Sequence, residues 1–249
     1  MEDLLLQRIM KSPPIKEYIT PGSTPVVAFG NPITAKVATL GINPSSREFL
    51  DAKGNLLSEE NRRLADFQSL GIKSHSEITE SVAKKVFEES NSYFHSDESV
   101  YQWFEPLQKY VLDPAAASFK DSSAAHLDLV QWSTAPVWGA IKDSKARDLL
   151  IQDDIRFLGE MLRGGSYKVL FMNGSTVVNT ILKFGLVEIK QQGFTPLGKA
   201  GRKSALWTGR VKDTNTVCLG WNLNLQHYQT TESNRESLRN WIKERVKGL

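Results

Sequence analysis

Three apolar stretches of this chain stop in the same way. VATLG (37–41) runs into Ile42-Asn43-Pro44, YKVLFM (167–172) into Asn173-Gly174-Ser175, and VCLG (217–220) into Trp221-Asn222-Leu223-Asn224. Each is rich in β-branched or other apolar residues, does not alternate with polar ones, and ends at turn residues. That is the pattern of a strand covered on both faces. Strands of this kind belong to parallel sheets flanked by helices, whose carboxyl ends share one edge, and helices leaving that edge aim their N-termini at it. Ligands bind at such an edge, and it suits an anion. In the first stretch Pro44 fixes its own φ and holds Asn43 out of the helical region, presenting the Asn43 amide above the sheet.

The rest of the chain supplies the helices. TPVVAFG (24–30) and AKVATLG (35–41), joined through Asn31-Pro32, are expected as neighbouring strands, and strands resume at HLDLVQW (126–132). Helical spacing is read over 58–70, 76–90 and 97–112, then near 144–163, 175–184 and 234–247. The last of these carries a capping box, Ser233 with Glu236, and an inward stripe of Leu238, Trp241, Ile242 and Val246. KSALWTGRV and NTVCLGWNL form a hairpin before it. With no repeats and no low-complexity linker, 249 residues are expected to form one domain, with a helical insertion over about 55–120.

Composition narrows the function classes. A single cysteine, Cys218, excludes a disulfide framework, a Cys-ligated zinc and a cysteine-held iron–sulfur cluster. Set in TVCLGW, it reads as a small buried hydrophobe. His75, His95 and His126 have no metal-site spacing. No cofactor and no metal is expected. MEDLLLQRIM reads as no leader, no apolar run approaches a membrane span, and the expected location is the cytosol. Neither a dinucleotide fingerprint nor a P-loop is present. Net charge is only +3, but its distribution is uneven. From Lys183 to Lys212 there are seven basic residues against Glu188 alone, and between Glu77 and Glu105 seven acids against Lys84 and Lys85. The basic run includes LGKAGRK, with Lys199, Arg202 and Lys203, which reads either as a solvated loop or as a path for a phosphate backbone.

GINPS, after the first long strand, resembles motif A of the uracil-DNA glycosylase superfamily, and is most similar to the mismatch-specific uracil/thymine and single-strand-selective branches, which carry Gly-x-Asn-Pro-Gly there. LDLVQWSTAP (127–136) is similar to that family's second strand and VLFMNGSTVV (169–178) to its third, while VCLGWNLNLQHYQTTESNRESL sits where the family has motif B. The resemblance spans about residues 24–48 and 126–247. It implies a three-layer α/β/α sandwich with a short, mainly parallel central sheet. It also implies hydrolysis of the N-glycosidic bond of a flipped nucleotide, with DNA as partner, no membrane, and a monomeric enzyme.

The same resemblance assigns roles. Asn43 would position the water; its amide orients water without taking a proton, which implies a slower enzyme than one with aspartate. Ile42, Asp128, Gln131 and Asn173 would surround the base. The family's uracil and thymine readers often have asparagine where Asp128 stands, and a carboxylate only accepts hydrogen bonds, so Asp128 points to the exocyclic amine of a cytosine-type base. A different register puts Gln131 in that place. Asn173 reaches the base edge or caps the helix from Ser175. Ser45, Ser46 and Arg47 bind flanking phosphates or begin a helix. The family's motif B has His or Asn before Pro-Ser, but this chain has no proline there. Asn222, Asn224, Gln226 and His227 are its polar groups, with His227 the partner for the leaving base, and Trp221, Leu223, Leu225 or Tyr228 a wedge. Trp132, Trp138 and Trp207 are expected in the core rather than against a base. The expected substrate is a modified pyrimidine, including the glucosylated hydroxymethylcytosine of phage DNA. The alternatives are a uracil repair glycosylase and a non-catalytic reader of damaged or modified DNA.

Overall fold

The structure is a computed structural model that describes residues 1–95, 102–196, 203–227 and 230–248. Six strands form one sheet: β1 (Val37–Gly41), β2 (Ala124–Asp128), β3 (Val169–Asn173), β4 (Val187–Pro196), β5 (Lys203–Val211) and β6 (Val217–Trp221), in the order β2-β1-β3-β6-β5-β4. The first four in that order run parallel, and β5 and β4 are added antiparallel. Pairing is flush at the carboxyl ends: Gly41 lies opposite Asp128, and Asn173 opposite Trp221. The asparagine-bearing breaks of β1, β3 and β6 therefore sit on one edge.

The helices are α1 (Glu2–Met10), α2 (Phe67–Leu70), α3 (Glu80–Ser92), α4 (Glu105–Leu107), α5 (Ser144–Gly164), α6 (Ser175–Lys183) and α7 (Glu232–Arg245). Side-chain alternation along the strands divides the core. Ala38, Leu40, Leu127, Leu170, Met172 and Cys218 face one way, against Leu5 and Ile9 of α1, Leu158 and Met161 of α5 and Val177 and Ile181 of α6. Val37, Val169, Phe171, Leu219 and Trp221 face the other way. They pack with Leu238 and Ile242 of α7 and with Tyr93, Phe94, Phe104 and Leu107 from the helical stretch between β1 and β2. Both faces are thus covered, which is why these strands read as unbroken apolar runs. Burial pushes the Cys218 thiol up to about 12, leaving it inert. Among the described residues no helix is long and apolar enough to cross a membrane.

Several elements differ from expectation. Residues 24–30 form no continuous strand beside β1. They lie along the outer edge of β2, through Phe29 N to His126 O and His126 N to Phe29 O, both 2.9 Å, and Val26 N to Gln131 O at 2.8 Å. Pro25 has no N–H to give, so the segment covers that edge without extending the sheet. The expected helix 58–70 is reduced to a 3-10 turn (Glu59–Asn61) and the single turn of α2. Asp66 and Ser69 cap each other's backbone there, so the local side chains start a turn and then stop it. Residues 75–77 form a 3-10 turn, and α3 begins only after Thr79. Of 97–112, residues 97–101 lie outside the described residues, and the remainder is α4 followed by π-helical Gln108–Leu112. β2 ends at Asp128 rather than 132, although Leu129 N and Val130 N still bond to Gly41 O and Ile42 O. The cap of α7 is Thr231, whose hydroxyl accepts from Asn234 N, two residues ahead of the expected Ser233 box. β4 was not expected at all.

Candidate functional site

The ends of β1, β2 and β3, with the loop between β6 and α7, enclose a cavity of about 460 Å³. Asn43 stands on its wall. Its Nδ2 donates to the carbonyls of Pro44 (3.0 Å) and Trp132 (3.3 Å) and to the Thr134 hydroxyl (3.1 Å). The donor end of the amide is fully engaged, and Oδ1 takes no partner among the described residues. An asparagine held in this way offers a ligand an acceptor in a fixed direction. The partner segment is anchored deeper in the protein. Trp132 is buried under the Arg8 guanidinium, 4.8 Å from its ring centroid, with His75 edge-on at 4.9 Å. Arg8 Nε donates to Asp154 at 2.6 Å, and the other Asp154 oxygen accepts from Gln131 N at 2.8 Å. A buried ion pair between α1 and α5 therefore pins the chain that leaves β2.

Asp128 also lines the cavity, with His126 two residues earlier on the same face of β2. His126 Nδ1 is 2.7 Å from Thr39 Oγ1, and its Nε2 is 3.5 Å from Asp128 Oδ1. All three residues are buried. Asp128 and His126 cross directly over Gly41, where a Cβ would stand 2.6 Å from Asp128 Oδ1 and 2.8 Å from His126 Nε2. This close approach requires glycine at the end of β1. Glu48 is buried and accepts a 2.9 Å hydrogen bond from the Tyr93 hydroxyl. Burial holds its carboxyl above the ordinary 4.5, Tyr93 and Arg63 pull it back, and the charge of Asp128 raises it further. Asp128 is the only carboxylate on the cavity wall among the described residues.

Asn173 lines the cavity with its hydrogen-bonding groups turned inward, its second Nδ2 hydrogen reaching Asn224 Oδ1 at 3.5 Å. Its Oδ1 accepts from Trp221 Nε1 (2.9 Å) and Leu225 N (3.1 Å), and its Nδ2 donates to Gln226 Oε1 (2.7 Å). It shapes the loop after β6 and does not cap α6, whose cap residue is Gly174. Asp128 reaches the cavity, whereas Gln131 is buried behind it and donates to Asp128 O at 2.7 Å. Asn222 is also off the wall, with its Oδ1 held by the Ser204 hydroxyl. Ile42, Ser46, Asn224, Gln226 and His227 are on it. Ser45 accepts from Arg47 N and starts the 3-10 turn Ser46–Glu48 while also touching the cavity. Arg47 lies with Arg63 in a neighbouring cavity of about 510 Å³ that shares Ser45 and Trp103 with the first. Lys203 is exposed at the start of β5, while Lys199, Arg202 and Tyr228 lie outside the described residues. Trp132 and Trp138 are in the core and Trp207 is half-buried, and Trp138 also lines the cavity beside Val137 and Gly139.

Sequence reasoning missed four participants: Thr39, His126, Thr134 and Trp103. The signal for His126 was its two-residue spacing from Asp128, which places both on one face of a strand. Trp103, 54% exposed at the cavity rim, carried no comparable signal. No model of a known family matches the chain, and no curated protein matches it.

Proposed function

We propose that this protein is a monofunctional DNA glycosylase of the uracil-DNA glycosylase type, cleaving the N-glycosidic bond of a flipped, modified pyrimidine and leaving an abasic site. The observation that carries the reading is the Asn43 amide, which lines the cavity at the carboxyl edge of a mainly parallel sheet, tied down by its donor end and with its acceptor oxygen unpartnered among the described residues. Such an oxygen orients a water by accepting its hydrogen bond. Departure of the base builds oxocarbenium character on the sugar, and a placed water captures it without a strong base at neutral pH. Asp128, an acceptor on the same wall, fits a base that offers an exocyclic amine, which favours a cytosine-type edge over uracil.

His227 lines the same wall and is the group we assign to stabilising the leaving base, with Asn224 and Gln226 beside it. Ser46 and Arg47 stand where the strand flanking a flipped nucleotide would run, and Trp103 and Trp138 offer aromatic faces to bases. A bulky modified cytosine, such as the glucosylated hydroxymethylcytosine of phage DNA, is the substrate we propose. An enzyme with that target acts as an antiviral defence, because it leaves abasic sites in invading DNA and spares an unmodified host.

The test is alkaline cleavage of DNA after incubation with the protein. The panel is uracil, thymine-mismatch and plain cytosine DNA, with virion DNA bearing hydroxymethylated and glucosylated cytosine, each against wild type and Asn43→Ala. Breakage confined to modified-cytosine DNA and abolished by Asn43→Ala is the expected result. Breakage of uracil DNA would make this a repair enzyme. No breakage on any substrate, with binding to modified DNA retained in Asn43→Ala, would make it a reader.

A further inference from the structure

Thr39, His126 and Asp128 form a buried chain that the water-positioning role of Asn43 does not use. His126 presents Nδ1 to the Thr39 hydroxyl at 2.7 Å and Nε2 to Asp128 Oδ1 at 3.5 Å. The two ring nitrogens are therefore not equivalent. Placed against a carboxylate oxygen, an unprotonated Nε2 would set lone pair against lone pair, so the hydrogen belongs on Nε2. Nδ1 is then the acceptor of the Thr39 hydroxyl hydrogen. Among the described residues the ring also stands over Gly41 and meets the rings of Phe104 and Phe29, with centroids at 5.1 and 5.9 Å. The charge of Asp128 acts on the nearby Glu48, which is itself held by Tyr93. Asp128 Oδ2 takes no partner among the described residues, while Oδ1 is the oxygen His126 faces.

We propose that His126 is a positioning residue that holds one side-chain oxygen of residue 128 through Nε2–H, so that the remaining atom of that side chain, an acceptor in aspartate and a donor in asparagine, decides between a 4-amino and a 4-oxo pyrimidine. The proposal rests on the glycosylase reading above. With aspartate at 128 both oxygens accept, and the one left for the ligand can only receive an N–H. With asparagine at 128, Nε2–H of His126 would take Oδ1, turning Nδ2 toward the ligand as a donor for a 4-oxo group. A residue merely filling space at 126 would have no such effect on selectivity.

The experiment uses two single-stranded oligonucleotides that differ at one position, 5-hydroxymethylcytosine against 5-hydroxymethyluracil, so only the 4-substituent changes. Binding is read at equilibrium by fluorescence anisotropy, which needs no turnover. Wild type should prefer the 4-amino strand, Asp128→Asn should reverse the preference by about tenfold or more, and the reversal should be lost in Asp128→Asn/His126→Phe. Phenylalanine suits a position already flanked by two phenylalanine rings. Should that variant fail to fold, Thr39→Val in the Asp128→Asn background removes the hydroxyl that fixes the tautomer and should weaken the reversal.

Imidazole ¹⁵N shifts of histidine-labelled wild type, assigned by difference against Thr39→Val, should show hydrogen on Nε2 of His126. An Nδ1–H tautomer overturns the proposal, as does a reversal that survives loss of His126. Binding of neither strand by any variant sinks the glycosylase reading itself, and the base-recognition role with it.

Discussion

Gly41→Ala tests the geometry of the site with a single methyl group. Position 41 is in β1, and its backbone is compatible with alanine, so the sheet itself is not strained. The new Cβ would stand 2.6 Å from Asp128 Oδ1, 2.8 Å from His126 Nε2 and 3.0 Å from His126 Cε1. The nearest of these falls about 0.8 Å or more short of ordinary contact. Two buried side chains must move together, and overpacking of this kind costs about 1–3 kcal/mol. The functional loss should be larger, because a displacement of about 1 Å in a positioned group costs about a hundredfold in rate. Gly139→Ala is the matched control. That glycine lines the same cavity, but a Cβ there meets nothing within 4 Å. Urea unfolding and single-turnover excision on the DNA found to be cleaved give both quantities. Wild-type stability and rate in Gly41→Ala would refute the placement of Asp128 and His126 over Gly41. Equal losses in Gly139→Ala would show that the cavity wall is generally intolerant.

Asn43→Asp should not yield a faster enzyme. The introduced carboxylate would face the carbonyls of Pro44 and Trp132, which now receive hydrogen bonds, so we expect a loss of about 1–3 kcal/mol at neutral pH by urea unfolding, recovered as pH falls and that carboxylate takes up a proton. Asp154→Ala strands Arg8 in the core and removes the acceptor of Gln131 N, and should cost about 3–5 kcal/mol by the same measurement. Glu48 binds its proton more tightly folded than unfolded, so above pH 4.5 the unfolded state releases it first and stability falls as pH rises, by at most about 1.4 kcal/mol per pH unit, until the folded group also ionises. Glu48→Gln keeps an acceptor for Tyr93 and has no proton to lose. The stability difference between variant and wild type should therefore grow with pH across that window, and a constant difference would show that Glu48 is ionised when folded.

How much of this was legible in the sequence depended on whether a feature carried its own physical signature. β1, β3 and β6 were legible because a strand buried on both faces is apolar throughout and must end at a turn, and Asn43 because Pro44 dictates the conformation around it. β4 was not legible. VEIKQQGFTP is largely polar, lies at the sheet edge, and breaks register between Gln191 and Gly193, so neither alternation nor apolar content marks it as a strand. The 58–70 segment has helical spacing, but Asp66 and Ser69 satisfy the local backbone in a turn that spacing does not see. At the site, the Pro44 turn and the family resemblance pointed to Asn43 and the resemblance to Asp128, while choosing between Asp128 and Gln131 needed the pairing of Gly41 with Asp128. Thr39 and His126 were out of reach, since they are 87 residues apart and meet only because β1 and β2 pair in parallel. The choice of amide over carboxylate at 43 has the same origin. An aspartate would serve a water at least as well, but three acceptors that converge on Nδ2, two of them from a segment about ninety residues further along the chain, require a donor at that atom. The sequence shows an asparagine before a proline; only the folded chain supplies the carbonyls that make it an asparagine.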